Sequence, residues 1–81
     1  MRPSPGIAWQ IIDGEAILVD INGGRSLGLN ATGTLIWKNL EKRADDIVTE
    51  LVNEFEVPVE TAKADVYDFL KVLRDRGYVS E

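Results

Sequence analysis

Arg25-Ser26-Leu27-Gly28-Leu29-Asn30 alternates apolar with small or polar residues and ends on a side chain suited to capping a helix. Leu27 and Leu29 fall on one face of a strand, and Ser26 and Gly28 on the other. Asn30 can then accept the orphan amides of the helix that follows. At a sheet edge beside a helix, such a strand presents unpaired N–H and C=O groups as a template for another chain's backbone. Gly28 fits that use, because a glycine inside a strand marks a bulge or the close approach of a ligand or a second backbone.

Upstream, Ile7 to Ile12 and Glu15 to Ile21 flank Asp13-Gly14, the dipeptide that suits both positive-φ positions of a type I′ hairpin turn. Ile17, Val19 and Ile21 share one face of the second strand and Asp20 lies on the other. Asn22-Gly23-Gly24 makes the next reversal and completes a three-stranded meander with Arg25 to Leu29 as the third strand. Met1 to Gly6, which holds Pro3, Pro5 and Gly6, is expected to be a loose arm.

Downstream the apolar period changes from two to that of a helix. Leu35, Ile36, Trp37 and Leu40 predict a helix from Ala31 to Glu41. Asp45 and Asp46 open a second, with Ile47, Val48, Leu51, Val52 and Phe55 on its buried face and a stop before Pro58. The third runs from Val59 to Asp75, its residues Val59, Ala62, Val66, Phe69, Leu70 and Leu73 lying within one arc of about 100°. Gly77 is its left-handed cap, and Tyr78-Val79 turns back as a short strand or tail. Three antiparallel strands followed by three helices is an α+β arrangement, and the 81 residues read as a single domain.

The chain holds no cysteine and no histidine, which removes the usual nucleophile–base pairs and soft-metal sites. Asp13/Glu15, Asp45/Asp46 and the Asp46/Glu50/Glu54 stripe lack the desolvation that tunes a carboxyl for catalysis. Asp20-Ile21-Asn22 lacks the rest of a calcium loop, so no metal is expected. Gly28 and Gly33 have the outer spacing of a phosphate loop, but Thr34 stands where its lysine belongs, and no cofactor is expected. The formal net charge is −5. Between residues 41 and 58, six carboxylates oppose Lys42 and Arg43, a balance that disfavours nucleic acid. With no long apolar run there is no membrane span or signal segment, and the protein is expected in the cytoplasm. Trp9 and Trp37 read as core. Tyr67 stands beside Lys63, Leu70 and Arg74 on the third helix, a composition that suits the wall of a peptide groove.

The run Gly24 to Gly33, then Ile36-Trp37, Asp65-Val66, Phe69-Leu70 and Arg76-Gly77-Tyr78, resembles the PqqD family, also called RiPP precursor recognition elements. The resemblance covers about Ile7 to Val79. It implies a winged helix-turn-helix-like fold in which a precursor's leader peptide adds as a strand beside the third strand, with the third helix as the other wall. It also implies an adaptor, not an enzyme, that presents the precursor to a modifying enzyme: a radical SAM enzyme in pyrroloquinoline quinone biosynthesis, or a lasso-type protease and cyclase. Carried over by position, Arg25, Ser26, Leu27, Gly28 and Leu29 form the pairing strand, and Val66, Phe69 and Leu70 the groove side, to which Lys63, Tyr67 and Arg74 add their own flank. Ser26 and Leu27 replace larger aromatic residues of many relatives.

Two functions therefore stand against each other. The first is a non-catalytic peptide-binding module. The second is a winged-helix DNA-binding regulator reading with its second and third helices, opposed by Glu60, Asp65 and Asp68 on the would-be recognition helix. Tight, salt-sensitive duplex binding would favour the second. An exposed edge also permits self-pairing into a homodimer.

Overall fold

The computed structural model describes all 81 residues. Its main sheet has three antiparallel strands, β2 (Ile7–Ile12), β3 (Glu15–Asp20) and β4 (Arg25–Gly28), in the order β2-β3-β4. Asp13 (φ 51°) and Gly14 (φ 81°) both take the positive φ that a type I′ turn requires. Asn30 caps α1 (Ala31–Lys38), its Oδ1 accepting from the Gly33 amide at 2.8 Å. The helix ends three residues short of expectation, at Asn39, whose side chain donates back to the Leu35 carbonyl. α2 (Ala44–Phe55) and α3 (Val59–Asp75) complete a winged helix-turn-helix-like arrangement. Gly77, at φ 79°, closes α3 with two bonds of a left-handed cap: Gly77 N–H to the Arg74 carbonyl and Tyr78 N–H to that of Leu73.

The first six residues are not a loose arm. Arg2–Pro3 forms β1, which pairs with β5 (Val79–Ser80), while the Ser4 amide donates to the Tyr78 carbonyl and the Met1 ammonium to that of Leu40. Two-residue strands in a ribbon tolerate Pro3, because only one edge of it must pair.

The parity of β3 is as expected, but the buried face is the one that carries Asp20. Ala16 and Leu18 are fully buried, whereas Val19 and Ile21 are exposed. All three helices pack on the Ala16/Leu18 side, and the small Ala16 lets α1 come close enough for the Thr34 hydroxyl to accept the Ala16 amide at 2.9 Å. Trp9 is not core either: it is 45% exposed and lies edge-to-face, 6.1 Å between centroids, on the buried Trp37. The core joins Leu18 and Leu29 to Ile36, Trp37, Ile47, Leu51, Val66 and Leu73. Val59 and Phe55, both assigned to buried helix faces, are exposed.

Candidate functional site

β4 is hydrogen-bonded on one side only, to β3. The Leu29 amide donates to the Ala16 carbonyl at 2.8 Å, and the unbroken register pairs Leu27 with Leu18 and Arg25 with Asp20. Antiparallel alternation then turns the N–H and C=O groups of Arg25, Leu27 and Leu29 toward β3 and those of Ser26 and Gly28 toward the open edge. Gly28 forms no bulge, and a Cβ built on it would meet nothing within 4 Å.

That open edge faces a cleft of about 430 Å³ between β4 and α3. Leu27, Gly28 and Leu29 form its strand wall, and Asn30, Thr32, Gly33 and Ile36 its floor at the start of α1. Its helix wall is Asp65, Asp68, Phe69 and Val72. A Cβ on Gly33 would lie 3.3 Å from Phe69 Cζ and 3.4 Å from Leu29 Cβ, so glycine there is what lets Phe69 settle beside the strand.

One end of the cleft is braced. Arg25 reaches Asp20 Oδ2 at 2.9 Å, donates to the Arg76 carbonyl at 3.1 Å, and lies 5.3 Å from the centre of the Tyr78 ring. The Gly23 amide, which donates to Asp20 at 3.0 Å, and the Arg25 guanidinium hold the Asp20 carboxyl below its usual range.

Of the residues singled out from the sequence, the cleft gathers Leu27, Gly28, Leu29 and Phe69, with Ser26 on the open edge beside them. Val66 and Leu70 lie beneath it in the core. Lys63, Tyr67 and Arg74 stand on the opposite flank of the α3 apolar arc, where the Tyr67 hydroxyl donates to Asp45 of α2 at 3.0 Å and that bond raises its pKa. Asp65, Asp68 and Val72 were missed. The available signal was Val72, an extra apolar residue one turn beyond Phe69 on that flank of the arc.

No set of three or more acidic side chains is arranged to hold a metal ion, and no helix is long and apolar enough to cross a membrane. The carboxylates of α3 that face the cleft would repel phosphate, against the DNA-binding alternative.

Residues 15–79 match the family model described as coenzyme PQQ synthesis protein D, PqqD. The chain belongs to the PqqD family. Two solved structures share this PqqD-like architecture over nearly their whole length. TbiB1 in complex with the TbiA(β) leader peptide is 34% identical, with a TM-score of 0.85 over 99% of this chain and 100% of that one. Lasso peptide synthetase B1 complexed with the leader peptide is 27% identical, with a TM-score of 0.89 over 99% and 96%. No curated protein matches the chain.

Proposed function

We propose that this PqqD-family protein binds the leader segment of a ribosomally made precursor by strand addition to β4, and presents it to a modifying enzyme. The observation that carries this reading is the unpartnered edge of β4 facing a preformed cleft. Leader complexes of two structures with the same fold support it. Ser26 and Gly28 supply main-chain hydrogen bonds, and Leu27, Leu29, Phe69 and Val72 supply apolar contacts for the guest's alternate side chains. The role is non-catalytic: the adaptor raises the local concentration of precursor at a radical SAM enzyme or a lasso-type protease and cyclase, in the cytoplasm where the precursor is made. Two copies pairing edge to edge through β4 as a homodimer would compete with the guest for the same edge.

The test is an NMR titration of labelled protein with the TbiA(β) leader peptide and with leaders of short precursors encoded beside this chain's gene. Shifts are expected at residues 25–29 and along Asp65 to Val72. Saturable binding that leaves β4 unperturbed overturns the reading.

A further inference from the structure

The cleft has a sign. Among the eleven residues that line it, the charged ones are Asp65 and Asp68, both carboxylates. Neither has a hydrogen-bonding or ion-pairing partner in the chain, whereas Asp20, Asp45, Glu50 and Asp75 are all engaged. Both are exposed at the rim, with apolar Phe69 and Val72 beside them on the same helix.

The walls also have a common direction. Arg25, at the start of β4, touches the Arg76 carbonyl at the end of α3, while Leu29, at the other end of the strand, lies beside Gly33 and hence Phe69. β4 therefore runs against α3, and a strand added to its open edge runs along that helix. The Asp65/Asp68 pair and the Phe69/Val72 pair are separated by about 6 Å along the axis at ~1.5 Å per residue. Side chains on one face of an extended guest recur every ~6.7 Å. One inward position of the guest thus meets the carboxylates as the next one meets the apolar pair.

Taking strand addition at β4 as given, we propose that Asp65 and Asp68 set specificity: the groove selects an extended segment in which a lysine or arginine stands two residues from an aliphatic or aromatic side chain. Apolar contacts anchor that segment, and the two carboxylates choose its register by charge complementarity. A guest with an acidic residue at the same position meets like charge, with no cation among the residues that line the cleft to relieve it.

A displayed library of random twelve-residue peptides tests this without knowledge of the natural precursor. It is panned against the wild-type chain, against Gly28→Pro and Ser26→Pro to identify peptides that need the open edge, and against the Asp65→Asn/Asp68→Asn double variant, with circular dichroism confirming that each variant is folded. Edge-dependent peptides are expected to carry a basic residue two positions from an apolar one. Their affinity should fall roughly three- to tenfold in the double variant, as for two partly exposed ion pairs, and lose most of its salt dependence. Edge-dependent peptides without basic enrichment that bind the double variant equally well overturn the specificity inference and leave strand addition standing. Failure to recover any edge-dependent peptide overturns both.

Discussion

The Arg25 guanidinium donates to the Arg76 carbonyl at 3.1 Å, joining the first residue of the edge strand to the last turn of the third helix. The contact spans 51 residues of sequence and ties the start of β4 to the end of α3, the two elements that wall the cleft. The Arg25 side chain is held within the fold by Asp20, Arg76 and Tyr78.

The brace carries a pH signature. The Asp20 carboxyl is held below its usual range, so its contribution is fully present above the unfolded-state value and is lost as pH falls through the lower folded-state value. Asp20→Asn should therefore be less stable than the wild type at neutral pH, with the gap closing below about pH 4, the ordinary aspartate range. Paired thermal melts from pH 7 to pH 2 check this. A gap that stays constant into strong acid refutes it.

Proline along β4 separates binding from folding. Gly28→Pro and Ser26→Pro remove amides that face the open edge, and both should stay folded while losing leader affinity at least tenfold. Leu27→Pro removes an amide that faces β3 and should lower the melting temperature, since it breaks the ladder itself. Melting curves and fluorescence anisotropy on the same preparations distinguish the two sets.

Gly33→Ala should weaken peptide binding more than it alters stability. Alanine favours a helix by about 1 kcal/mol over glycine, which offsets crowding of the new Cβ against Phe69 Cζ, 3.3 Å away. The displaced ring narrows the cleft. Equal affinity for the wild type and the variant would show that Phe69 does not shape the groove.

Thr34 is a buried polar side chain in the core, and its hydroxyl takes up the amide of Ala16. Thr34→Val keeps the shape but leaves that amide unpaired, and should cost about 1–3 kcal/mol in urea unfolding. A loss below about 0.5 kcal/mol would mean that the amide finds another partner.

Trp37 presents the opposite case, a buried indole whose N–H has no partner. Trp37→Phe forfeits no hydrogen bond, so it should cost less than half of the about 3–5 kcal/mol expected for Trp37→Ala. Denaturant unfolding of the two variants compares them directly.

What lay within a few residues could be read directly. The Asp13-Gly14 turn, the Asn30 cap, the span of α3 and the Gly77 closure all arise from backbone preference and short-range hydrogen bonds, and each stands where the sequence puts it. So does the strand from Arg25, because Leu27 and Leu29 alternate toward one face.

Three features depended on partners distant in the chain. The apolar row Ile17, Val19 and Ile21 looked as buriable as Ala16 and Leu18, and only the side on which the helices packed chose between them. The N-terminal residues gain their order from β5, more than seventy positions away, a pairing that prolines in isolation argue against. Which flank of α3 lines the cleft, that of Asp65, Asp68, Phe69 and Val72 and not that of Lys63, Tyr67 and Arg74, depends on the rotation of the helix about its own axis, and that angle comes from the core residues Val66, Leu70 and Leu73 joining the common core. The sequence by itself determined the turns, the caps and the span of α3, since those forces are local; the tertiary structure decided which faces meet and that the two chain ends pair as β1 and β5, since burial and long-range pairing are settled only when all the surfaces compete at once.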